Sequence, residues 1–172
     1  EYLIKSGYAT AIFNGEVVGL ADTANSTDDG FIVREPVASE VNPIGVFLGV
    51  SYTDPSTGQL THKQFYPGSI AASDIKAIVS VNPFTLYEVQ ADDAIAQTQL
   101  GMTADLVQTQ AGSTVTGNSG VQLDASTASV GGELFKIIDF VDRVGSTIGD
   151  AKTDVIVMMN QTEHAFLADA IT

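Results

Sequence analysis

Short runs rich in β-branched and aromatic residues recur along nearly the whole chain, each closed by Gly, Pro, Asn or Asp. This punctuation limits the fold more than any other feature. Residues 9–13 and 16–20 flank Asn14-Gly15, a dipeptide suited to a type I′ hairpin because both central residues need positive φ. Phe31-Ile32-Val33 reads as a short strand ended by Pro36. The run Gly45-Val46-Phe47-Leu48-Gly49-Val50-Ser51-Tyr52 is strand-rich, and Asp54-Pro55-Ser56-Thr57-Gly58 forms a turn. Residues 60–66 then return as the second arm of a hairpin that ends at Pro67-Gly68. Residues 75–81 alternate and stop at Asn82-Pro83, and residues 85–89 follow with Leu86 expected to face the core.

Residues 105–110 and 121–125 bracket a long hairpin tip of small and polar residues. Residues 134–141 and 154–159 are the most apolar strands, joined by a loop with two glycines, Gly145 and Gly149. One helix is expected, capped by Asp92 and terminated by Gly101, with Ile95 and Leu100 inward. A second short one is expected from Thr162 to about Ala170. Without βαβ alternation or a heptad repeat, the pattern predicts a mainly β fold. A small β-barrel or a sandwich would carry an N-terminal β-hairpin and one or two short helices. The expected organisation is a hairpin and acidic loop over 1–43, a β-barrel domain over 44–160, and a short helix or tail over 161–172.

A chain of 172 residues can bury a real core, and no apolar run approaches the roughly 20 residues that span a bilayer. It opens at Glu1 without methionine or a basic-then-apolar leader, so a processed product is expected. Seven Lys plus Arg against 21 Asp plus Glu give a formal charge of −14. A field of that sign disfavours direct contact with nucleic acid or an anionic membrane, and favours either solubility or a basic partner surface. Cysteine is absent, which excludes disulfides, thiol catalysis and Cys-based metal sites. Only His62 and His164 remain for a histidine metal site.

Four constellations of residues could carry chemistry or binding. Gly117-Asn118-Ser119-Gly120 is similar to the nucleophile turn of trypsin-like serine proteases, with His62 and Asp92 preceding it in the corresponding order. The Leu60-Thr61-His62-Lys63 context departs from that family, and a flexible hairpin tip of turn formers is the favoured reading of the motif. Asp22, Asn25, Asp28 and Asp29 gather oxygen ligands of the kind a hard cation takes, without the alternate spacing of a helix–loop–helix calcium site. Asp92-Asp93 and Asp139 with Asp142 supply carboxylate pairs of the kind glycoside hydrolysis uses, in a chain with no Trp to stack a sugar. Phe65, Tyr66, Phe84 and Tyr87 crowd around Pro67-Gly68 and Asn82-Pro83, either filling a barrel end or anchoring a partner. None of this requires an enzyme, a metal or a cofactor.

A resemblance sharpens the expectation. Residues 44–52, Lys63-Gln64-Phe65-Tyr66-Pro67-Gly68, residues 73–79, Asn82-Pro83-Phe84 and residues 87–92 carry it. So do Ile137-Ile138-Asp139-Phe140-Val141 and Asp154-Val155-Ile156-Val157. Together, over about residues 44–160, they resemble the capsid decoration, or cement, proteins of tailed bacteriophages. The resemblance implies a small β-barrel or β-tulip-like fold with no catalytic residues. The implied role is that of a virion structural protein on the outer capsid surface, stabilising the shell by bridging major capsid proteins, alone or as a homo-oligomer (dimer or trimer). The competing expectations are a phage tail or surface carbohydrate-binding module and a small hydrolase using Ser119 or a carboxylate pair.

Overall fold

The computed structural model describes residues 1–21, 30–34, 43–164 and 166–167. Within them the protein is mainly β, built on two antiparallel sheets of six and four strands. The larger sheet is organised by β4 (Pro43–Thr53), which is long enough to take two partners in succession along one edge. β2 (Val17–Leu20) pairs with its first half and β5 (Leu60–Lys63) with its last residues. β6 (Lys76–Ser80) lies along the other edge, with β1 (Tyr2–Leu3) outside it. β3 (Ile32–Arg34) flanks β2. Bulges interrupt β4 against both β2 and β6, the second at Leu48. Each shifts which side chains face inward, so Ile44, Phe47 and Val50 reach one core despite mixed parity.

The smaller sheet runs in the order β7 (Leu86–Gln90), β12 (Asp154–Met159), β11 (Phe135–Phe140), β8 (Thr103–Ala104). A separate two-stranded ladder joins β9 (Leu106–Val107) to β10 (Gln122–Leu123). Two cores result. The first packs Val18, Phe47, Val50 and Tyr52 of the large sheet against Ile4, Ile12, Tyr66 and Ile75. The second uses the opposite face of the large sheet, at Val17 and Val46, and sets it against Phe135, Ile137, Val155 and Val157. The large sheet therefore has apolar contacts on both faces. Each such fully buried side chain contributes about 1.5–3 kcal/mol.

The strand pattern read from the sequence is realised at β2 to β7 and at the β9–β10 and β11–β12 ladders. Several expectations are corrected. Among the described residues neither sheet closes on itself, so open sheets replace a barrel. Asn14-Gly15 does turn the chain, with Gly15 at φ +92° and Glu16 N–H donating to Phe13 O. Its flanks do not pair with each other, because Ile12 exchanges both backbone bonds with Tyr66 while Val17 and Val18 join β4.

The helix expected after Asp92 is only a 3₁₀ turn, Gln97–Gln99. Its i→i+4 ladder is broken by a neighbour: Ile95 O, which an α-helix would offer to Gln99 N–H, accepts from Gly149 N–H, and Gln99 N–H donates to Ala96 O instead. Asp92 itself accepts from Ala125 N–H instead of capping. Ile95 is buried as expected, but Leu100 is exposed. A second 3₁₀ turn spans Ala125–Thr127. The chain after β12 forms hydrogen-bonded turns through Leu167, and the rest of the expected C-terminal helix lies outside the described residues.

Candidate functional site

Of the four aromatics singled out as a partner site, Tyr66 cannot serve. It is 0% exposed, its hydroxyl donates to Tyr8 O at 2.8 Å and accepts from Ile70 N–H, and burial pushes that hydroxyl above the usual phenol range. Its burial follows from the ladder bonds to Ile12, which fix the Tyr66 backbone against the N-terminal segment. Phe65 is half-buried and stacks on Phe13, with ring centres 5.3 Å apart and planes 9° from parallel. Tyr87 points into the second core, edge-on to Phe135, and its hydroxyl bonds Ser80 Oγ. Phe84 alone is strongly exposed, at 62%. The four are therefore divided between two cores, the flank of Phe13, and solvent.

Phe84 sits beside a surface that the sequence reading missed. On β7 the side chains of Tyr87 and Val89 face inward and those of Leu86, Glu88 and Gln90 face outward, so Leu86 is 55% exposed rather than core. The signal was present: Leu86 shares its parity with Glu88 and Gln90, and period 2 assigns all three to one face. Met158 lies opposite Leu86, and Ile156 lies opposite Glu88. Ile138, exposed at the β11 bulge, extends the strip. Phe84 and Leu86 with the half-buried Ile156 and Met158 make the outer face of the small sheet partly apolar.

The other end of that face is polar and clasped. Arg143, from the loop after β11, reaches Glu88 Oε1 at 2.7 Å and Asp154 Oδ2 at 2.6 Å, tying β7 to β12. The two carboxylates raise the guanidinium's proton affinity, the hydrogen bond to Asp154 foremost. Gln90 Nε2 donates to the remaining Asp154 oxygen, and Asp154 N–H donates to Ser146 Oγ, which anchors the loop.

Between the sheets a cleft of about 260 Å³ opens along β7. Val17, Val46, Phe135 and Val157 form its apolar floor, and Asn14, Asn118 and Ser119 its polar rim. The rim is built by the 111–120 segment, which was expected to be a flexible tip. It docks instead: Asn14 N–H donates to Gly117 O, Ser119 N–H donates to Asn14 O, and Gln64 Nε2 donates to Asn118 Oδ1. The apex at Val115 stays exposed, at 93%.

The residues considered for catalysis are engaged separately. Ser119 Oγ accepts from Val121 N–H, His62 is exposed on β5 opposite Ser51, and Asp92 bonds Ala125 N–H. Asp93 Oδ1 accepts from Ala94 N–H, and Asp139 Oδ1 accepts from Phe140 N–H. His164 is buried in the turn after β12, where its Nδ1 accepts from Phe166 N–H. Among the described residues no group of three His, Asp or Glu side chains is placed to hold a metal ion. Asp22, Asn25, Asp28 and Asp29 lie outside the described residues. No family model, no curated protein and no solved structure matches the chain.

Proposed function

We propose that this protein is a virion structural component that decorates the outer surface of a phage capsid and stabilises it by bridging major capsid proteins. One observation supports the reading above others. The segments that carry the resemblance to decoration proteins are β4, β6, β7, β11 and β12, which run through both sheets. The resemblance thus covers the framework of the fold rather than one loop.

The surface fits that role. An acidic domain with a partly apolar outer face at Phe84, Leu86 and Met158 suits docking onto a protein surface better than contact with packaged nucleic acid. Repeated copies on a symmetric shell would multiply a modest contact through avidity, and a dimer or trimer at a symmetry position would do so further. The test is co-sedimentation of the purified protein with capsids. Binding to expanded but not to unexpanded capsids is expected; binding to neither would overturn the proposal.

A further inference from the structure

β7 is an edge strand, and its edge faces the inter-sheet cleft. In the antiparallel ladder to β12, Ala91 N–H donates to Thr153 O, whereas Asp92 N–H points the other way, to Leu123 O. Alternation along the strand then directs the backbone groups of Tyr87 and Val89 to β12, and those of Leu86, Glu88 and Gln90 outward. β10 meets this side only at the Ala91–Leu123 bridge, and no other described strand pairs with it. The cleft is lined by four consecutive β7 residues, Tyr87 to Gln90. Glu88 and Gln90 line it even though their side chains sit on the outer face, so the strand's backbone borders the opening.

We infer that the β7 edge is a strand-addition site for an extended, basic segment of a partner protein, an inference that rests on the docking function proposed above. A strand added there takes its register from the outward N–H and C=O groups of Glu88 and Gln90, which are unpaired among the described residues. Side chains beside Tyr87 and Val89 enter the apolar floor at Val17, Val46 and Val157; the alternate ones run beside Glu88 on the outer face. At about 260 Å³ the cleft is smaller than the roughly 300–1,000 Å³ of small-molecule sites and suits one or two aliphatic side chains. The sign of the partner follows from charge. The chain carries −14, and at this edge the two carboxylates of Glu88 and Asp154 share the single cation Arg143, so the local balance is negative and alternation of Lys or Arg with Val or Leu is the complementary pattern.

The probe is a fluorescent nine-residue peptide alternating Lys and Val, with a Glu–Val peptide as control. The Lys–Val peptide is expected to bind, the Glu–Val peptide not. Glu88→Pro removes an outward N–H but no backbone bond of the β12 ladder, and it is expected to weaken binding at least about tenfold; Glu88→Gln, which likewise gives up the ion pair to Arg143 but keeps the N–H, should weaken it less than about threefold. Equal binding by Glu88→Pro, or no binding by the wild type, overturns the inference. Should Glu88→Pro unfold, amide exchange on the wild type decides. The peptide must slow exchange at Glu88 and Gln90, and protection elsewhere overturns the site. Protection of both amides without peptide also overturns it, showing a second copy or this chain's own segment on the edge. Capsids separate the two ideas. Equal capsid binding by wild type and Glu88→Pro ends the edge site and keeps the docking function. A wild type that binds the peptide but no capsid ends the docking function and keeps the edge site.

Discussion

Arg34 Nε lies 3.0 Å from Glu16 Oε2, joining the end of β3 to the turn that leads into β2 around a carboxylate only 1% exposed. Glu16 also accepts from Phe13 N–H and from Gln108 Nε2, so one buried side chain ties the N-terminal turn, β3 and the β9 region. Glu16→Ala leaves those donors and a half-buried guanidinium without their partner. A loss of about 3 kcal/mol is expected in urea unfolding, and a loss under about 1 kcal/mol would contradict the role.

The same residue gives a pH signature. Burial raises the Glu16 carboxyl above its ordinary value of 4.5, outweighing the Phe13 N–H, Arg34 and Gln108 that lower it. The folded state therefore holds this proton more tightly than the unfolded chain. Its contribution to stability is greatest below the ordinary carboxylate range and is lost as pH rises through the raised value. The difference in unfolding free energy between wild type and Glu16→Gln should shrink with rising pH over that window. A difference that is flat or grows would contradict it.

Tyr66 and Phe84 should separate stability from docking. Tyr66→Phe loses a hydroxyl that both donates and accepts inside the first core, at a cost of about 1–2 kcal/mol. It should leave capsid binding by the folded fraction unchanged. Phe84→Ala should alter unfolding by no more than about 0.5 kcal/mol while weakening capsid binding. The reverse pattern would move the docking surface elsewhere.

Much of the strand inventory was legible because alternation and turn chemistry are local. The β4–β5 hairpin shows why: Asp54 Oδ1 accepts from Ser56 N–H at 2.8 Å, and Asp54 N–H closes the turn on Gln59 O. Partnership was not legible. Asn14-Gly15 turns the chain as its sequence demands, yet Ile12 goes to Tyr66 and Val17 to Val46, a long-range choice that no local signal encodes. The helix after Asp92 failed for the same reason, since Gly149 N–H takes the Ile95 carbonyl that a helix would offer to Gln99. Aromatic crowding in sequence also misled, because Phe65 and Tyr66 point to different surroundings from one strand end. The partly apolar strip at Leu86 and the half-buried Met158 required knowing that β7 and β12 are neighbours.

Gly68 and Gly58 offer a contrast in backbone terms. Both have positive φ, at +85° and +67°. A Cβ on Gly68 would stand 2.5 Å from Ala9 O, whereas one on Gly58 would meet nothing within 4 Å. Gly58→Ala should cost about 1–2 kcal/mol from φ alone, and Gly68→Ala clearly more, because a backbone carbonyl must move. Equal costs, read from denaturant midpoints, would show that the Ala9–Gly68 approach is looser than described.

The Arg143 clasp predicts a local effect. Arg143→Met removes the bridge from Glu88 to Asp154 and should speed amide exchange in β7 and in the loop of residues 141–153. Exchange in β4 and β6 should stay unchanged. Uniform acceleration across both sheets would contradict a role confined to that edge.

The claim that this domain is a clip on a viral shell is tested most directly by titrating the purified protein onto expanded capsids and imaging the saturated particles. The expected result is binding that saturates at a fixed ratio to the major capsid protein, with density only on the outer surface. Binding that fails to saturate, or density inside the shell, would contradict it.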